Sequence, residues 1–76
     1  MPRSKAPSAV SAEQHQQIQQ WLAAHGTPQQ VALRCRIVEA ASQGRGDSAI
    51  AAELEINRKT VILWRERFAQ QGLASL

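Results

Sequence analysis

Asn57, Arg58, Lys59 and Ile62 lie within six consecutive residues, and their side chains match the chemistry of base edges in duplex DNA. Arginine can pair bidentately with guanine O6 and N7, lysine can reach the same atoms or a phosphate, and an isoleucine methyl can meet a thymine methyl. Asn57 is also a good helix N-cap, its side-chain oxygen placed to accept from the backbone N–H of Lys59 or Thr60, so a helix is expected to begin at Arg58. That start presents all four residues at the amino-terminal end of the helix. There the positive end of the helix dipole favours phosphate, and recognition helices touch bases from that end. Arg65, Arg67 and Thr60 are assigned to backbone phosphates.

Two short helices have to hold this array. On a wheel of ~100° per residue, Val61, Trp64, Phe68 and Thr60 take one side of the second helix. Arg58, Lys59, Ile62, Glu66 and, at the margin, Leu63 take the other. Upstream, Ile50, Ala51 and Leu54 recur at a spacing of three and four residues with Ile56 in the intervening turn, so the two helices are expected to share one small core as a helix-turn-helix. Gly44, Arg45 and Gly46 make a flexible connection into it, with Gly46 or Asp47 as cap. Backbone N–H groups at that helix start suit a phosphate, to which Ser48 can add its hydroxyl and Arg45 its charge, while Asp47 opposes it by repulsion.

The run I-A-x-x-L-x-I-N-R-K-T-V-x-x-W-R-x-R-F from Ile50 to Phe68, followed by Gly72 and Leu73, resembles the N-terminal DNA-binding domain of bacterial insertion-sequence transposases related to the Tc/mariner superfamily. Residues 27–44 are similar to the helix that precedes the helix-turn-helix in those proteins, and residues 10–26 to their short leading helix. The resemblance implies an all-α fold of about four helices, a homeodomain-like three-helix core preceded by a leading helix. It implies transposon-end recognition or a regulator descended from it, with a separate catalytic transposase subunit as a partner. Two positions depart from that pattern. Glu55 occupies the first turn position, where glycine is usual, and a non-glycine residue at positive φ costs on the order of 1 kcal/mol. Ile62 and Leu63 stand where the family often carries basic residues, which leaves a rival reading: a protein-interaction or dimerisation module built on that apolar face.

Helices are expected over about 12–25, 28–43, 47–54 and 58–71. Ser11 and Gln14 make a capping box for the first, which Gly26 closes after His25; Ile18, Trp21 and Leu22 form its apolar stripe. Thr27 and Pro28 open the second as N-cap and first-turn proline, with Gln30 completing a second box, and Gly44 ends it. Val31, Leu33, Cys35, Ile37, Val38, Ala40 and Ala41 cover well over half of its circumference, so it is expected to be central. Arg34 falls inside that arc and has to pair with an acid, snorkel outward or contact DNA. Residues 1–9 lack periodicity and read as a disordered basic arm. Arg3 and Lys5 could reach a minor groove in the way homeodomain arms do.

Composition limits the alternatives. A chain of 76 residues is one small domain. Net charge is +3 and the sequence pI about 10.0, a mild preference for a polyanion. Distribution is sharper: from Ile56 to Phe68 there are four basic residues against the single acid Glu66. The alternative is an ordinary solvated helix face. Cys35 is the only cysteine, so no intramolecular disulfide or cysteine-based zinc site can form, and it is expected in the core beside Val31 and Val38. No apolar run approaches the ~18 residues of a membrane span, and a cytoplasmic, nucleoid-associated protein is expected. Strand-transfer chemistry needs carboxylates holding metal ions. The acids here do not offer such a set, and His15 and His25 have no ligand at metal spacing, so no catalysis, metal, cofactor or small-molecule substrate is expected. Double-stranded DNA is the expected partner. A domain this small has limited contact area, so a homodimer is a plausible route to tight binding.

Overall fold

The computed structural model describes residues 10–76 and contains four α-helices among them: α1 (Ala12–Ala23), α2 (Gln29–Ser42), α3 (Asp47–Leu54) and α4 (Arg58–Gln71), followed by a 3-10 turn at Gly72–Ser75. Arg3 and Lys5 lie outside the described residues.

The wide apolar arc of α2 has a direct structural counterpart, because this helix packs against α1, α3 and α4. One side of it sends Ile37 and Ala41 into a cluster with Ile50 and Ala51 of α3 and Val61 of α4. Its other side sends Cys35 and Val38 into a second cluster with Ile18 of α1 and Phe68 of α4. Ile18, Ile37, Ile50 and Val61 are fully buried. Burying each such side chain contributes about 1.5–3 kcal/mol relative to leaving it in water, so these few residues set the helix arrangement. The last residues extend the second cluster: Leu73 and Leu76 pack on it from the 3-10 turn, and Ser75 is buried.

Caps decide where the helices stop. At α1 the expected box is present, Gln14 N–H donating to Ser11 Oγ at 3.1 Å and Ser11 N–H to Gln14 Oε1 at 3.0 Å. Its other end differs from expectation. The helix stops at Ala23 and the chain leaves through Ala24 in an extended conformation, so neither His25 nor Gly26 takes part in a glycine cap. Thr27, expected to cap α2, turns the opposite way and donates its hydroxyl at 2.6 Å to the Trp21 carbonyl, which also accepts from Ala24 N–H at 3.3 Å. The N-cap position of α2 falls to Pro28, without a side-chain bond.

Gly44, at φ 90°, closes α2 as expected. Its N–H donates to Ala41 O and that of Arg45 to Ala40 O, the paired bonds of a Schellman motif. The same pattern ends α3, with Glu55 N–H to Ala52 O and Ile56 N–H to Ala51 O, so Ile56 swings back onto the first cluster. Glu55 therefore adopts the left-handed conformation, φ 57° and ψ 47°, that glycine usually supplies. The turn thus keeps its ordinary geometry and carries the local strain expected of a non-glycine residue there. Relief of that strain exceeds the chain entropy glycine adds by about 0.5 kcal/mol. Glu55→Gly is accordingly expected to raise the melting temperature by roughly 2–4 °C, read by circular dichroism. A lower melting temperature would contradict this account of the turn.

Cys35 is fully buried, and burial, followed by the nearby Glu39 carboxylate, pushes its thiol pKa above the ordinary value of 9.0. Because the folded-state pKa is the higher one, this contribution to stability is complete below pH 9.0 and is lost as the pH rises through the folded pKa. Alkylation of native protein at pH 8 is expected to be slower than that of urea-unfolded protein by at least about a hundredfold, following the fraction of open molecules. Equal rates would place the thiol at the surface.

Candidate nucleic-acid interface

Asn57 sets the start of α4. Its Oδ1 accepts from Lys59 N–H at 2.8 Å, so the oxygen is engaged as the cap while the amide nitrogen points its donors elsewhere. Arg58 and Lys59 follow on the first turn, both exposed. Val61 and Phe68 bury the opposite side of the helix, and Thr60 and Trp64 are half-buried along its edge. The outer surface of α4 thus runs from Arg58 and Lys59 past Ile62, which is half-buried, and Leu63, which is 41% exposed, to Glu66 and Arg67. The hydrophobic core leaves no other orientation open: turning the basic face inward would bury charge and expose Val61 and Phe68.

The angle between α3 and α4 is held by an ion pair as well as by the core. Arg65 donates to Asp47 Oδ1 at 2.5 Å, and both side chains are largely shielded, at 19% and 14% exposure. Asp47 is the first residue of α3, where a carboxylate also complements the positive end of the helix dipole. The expected antagonism between Asp47 and a phosphate at this helix start is therefore answered internally by Arg65. Ser48 remains exposed beside it.

The arginines consequently divide into two groups. Arg45 and Arg65, both assigned to phosphates from the sequence, have carboxylate partners within the fold: Arg65 in the shielded pair with Asp47, Arg45 in a pair with Glu53 at the surface. The hydrogen bond that Arg45 donates to Glu53, reinforced by the carboxylate's charge, raises the pKa of Arg45. An exposed pair of this kind contributes little and exchanges readily for another anion. Arg58, Lys59 and Arg67 have no carboxylate partner among the described residues.

Within the fold, Arg34 pairs with no acid among the described residues. Its guanidinium lies 4.0 Å from the centroid of the Trp64 ring, and Nη1 donates to the Leu76 carbonyl at 3.4 Å. Arg67 lies over the same ring at 4.9 Å. Neither this stack nor the Asp47–Arg65 pair is legible from helical periodicity, which places residues on faces of one helix and not against residues of another. The signal available was narrower: an arginine inside an apolar arc requires a partner, and Trp64, half in and half out of the core, is an aromatic face within reach.

A family profile described as Homeodomain-like domain matches residues 28–76, which span α2, α3, α4 and the final turn. No curated protein and no solved structure matches the chain. No helix among the described residues is long and apolar enough to cross a membrane. With α3 and α4 forming the helix-turn-helix and α2 buttressing both, the chain belongs to the homeodomain-like domain family, whose helix-turn-helix is a DNA-binding architecture.

Proposed function

We propose that this protein binds double-stranded DNA in a sequence-dependent manner by laying α4 in the major groove. The observation that carries this is the start of α4, where Asn57 caps the helix and leaves Arg58 and Lys59 exposed with no carboxylate partner among the described residues. Arg58 reads guanine, Lys59 reads guanine or holds a phosphate, Asn57 offers its amide donors, and Ile62 meets a thymine methyl. Ser48, Thr60 and Arg67 bind backbone phosphates; Arg45 joins by exchanging Glu53 for a phosphate, and Arg65 acts chiefly by fixing α3 against α4. Such contacts bury only about 600–1,000 Å² for a single module, which favours two copies on DNA.

The motif from Ile50 to Phe68 supports a more particular setting. The domain serves as the DNA-recognition part of a transposase-like system, or as a small regulator descended from one, and leaves strand transfer to a separate catalytic subunit. It is not itself an enzyme, and it works in the cytoplasm on the nucleoid. One observation favours a second function: Leu63 is the large hydrophobic side chain exposed among the described residues, and with Ile62 it forms an apolar patch suited to self-association.

The two differ in their response to salt. Each phosphate neutralised by a cation contributes about −0.9 to the slope of log K against log salt concentration, so Lys59, Arg45 and Arg67 together give a slope of roughly −3. Fluorescence anisotropy of the protein with a random duplex pool at several salt concentrations, with bound DNA sequenced, is expected to return that slope and an enriched motif. Absence of binding at the lowest salt would overturn the DNA-binding function and direct attention to Ile62 and Leu63.

A further inference from the structure

Arg34 and Arg67 are brought to one indole, Trp64, from two different helices, and among the described residues neither has a carboxylate partner. Their distances from the ring centroid, 4.0 and 4.9 Å, place the two guanidinium groups closer to each other than about one Debye length, ~10 Å at 0.1 M salt. Two cations at that separation repel unless an anion lies between or beside them. Arg45 and Arg65 are balanced by Glu53 and Asp47, and Arg58, also without a carboxylate partner among the described residues, stands alone at the surface, whereas Arg34 and Arg67 are held together at one ring. At Trp64 the balancing charge is missing from the described part of the chain.

We infer that Arg34, Trp64 and Arg67 form a phosphate clamp, in which the indole holds the two guanidiniums in fixed orientation for one backbone phosphate of duplex DNA. The clamp rests on duplex DNA being the partner proposed above, and it brings α2 into the interface through a residue that the helix-turn-helix alone does not supply. Its position along α4 is suitable. Arg67 lies nine residues after Arg58, roughly 13 Å along the helix axis at 1.5 Å per residue. The major groove is about 12 Å wide, so a helix whose first turn reads bases carries a side chain at that distance to the phosphates that wall the groove. Arginine suits the task because its planar fork stacks on an aromatic face while N–H groups along its edge can donate to phosphate oxygens; at Arg34 one of them, on Nη1, is engaged by the Leu76 carbonyl at 3.4 Å and the others are left for phosphate. Arg34 is half-buried, so it is held in place before DNA arrives, and Arg67 is exposed.

Arg34→Gln and Arg67→Gln, made separately, test the clamp by salt-dependent anisotropy on a duplex bound by the wild-type protein. Each is expected to reduce the magnitude of the salt slope by about one and to weaken binding by on the order of tenfold uniformly across sequences, leaving base preference unchanged. A purely structural Arg34 would lower the melting temperature and leave the slope as it is. Wild-type binding with a steep slope that both variants retain overturns the clamp alone. Failure of the wild type to bind any duplex overturns the proposed function and the clamp together. If Arg34→Gln fails to fold, Arg34→Lys, which keeps the charge without the planar fork that stacks on Trp64, keeps the test decisive: severalfold weaker binding is expected, and wild-type affinity overturns the clamp.

Discussion

Replacing Arg58 and Lys59 together by alanine is expected to reduce affinity for the preferred duplex by roughly a hundredfold or more at moderate salt while leaving the melting temperature within a few degrees. The size follows from the contacts removed: a bidentate arginine–guanine pair contributes about 1–3 kcal/mol of base discrimination, and loss of the lysine removes a second charged contact. The small effect on stability follows from placement. Both side chains are exposed, and the cap that starts α4 uses the Asn57 side chain and the Lys59 backbone N–H, which alanine retains. The variant should also discriminate far less between duplexes, since Asn57 and Ile62 are the base contacts that survive while those from Ser48, Thr60 and Arg67 go to phosphate. Competition with the selected duplex and with a scrambled one measures both effects. Unchanged discrimination would mean that base reading lies elsewhere on α4 or on another element.

The second large effect concerns α1, which precedes the region matched by the family profile, residues 28–76. Ile18 is fully buried in the same cluster as Cys35, Val38 and Phe68, and the capping-box residue Gln14 lies close enough to Gly72 that a Cβ built there would sit 3.1 Å from its amide nitrogen. The leading helix is thus part of the core. Ile18→Ala is expected to cost about 2–5 kcal/mol from lost burial and the cavity left behind. A domain of this size has only about 4–11 kcal/mol of stability at the usual ~0.05–0.15 kcal/mol per residue, so the loss is a large share of the whole. Thermal unfolding should shift down by roughly 10 °C or more in a single transition. A small loss of helicity at low temperature followed by an unchanged main transition would show instead that α1 docks independently of the other three helices.

Local signals proved sufficient for the part of the molecule closest to the proposed interface. The start and end of α3 and of α4 coincide with the expected ones because the determinants are short-range: Gly46 before Asp47, Asn57 before Arg58, and the glycine at Gly72. The division of α4 into a buried side and an outer side follows from its 3.6-residue period for the same reason. The end of α1 falls two residues before the expected one because Gly26 has the composition of a cap without being needed as one: Ala24 N–H and the Thr27 hydroxyl serve the last carbonyls instead. Interactions between helices were the least legible. That Arg65 serves Asp47, that Arg45 serves Glu53, and that Arg34 shares Trp64 with Arg67 depend on how the helices cross, and a wheel drawn for one helix carries no information about the next. This matters for function, since the basic residues credited to DNA from sequence comprise some whose charge is already answered within the protein.

Assignment of backbone amide shifts, followed by titration with a duplex recovered by selection, tests the central claim most directly. If α4 lies in the major groove, the largest perturbations will fall on Asn57 to Ile62, with further changes at Ser48 and Arg67. Perturbations confined to the opposite groove, lined by Leu33, Leu54 and Ile56, or centred on Leu63 with no change at Arg58 and Lys59, would contradict it.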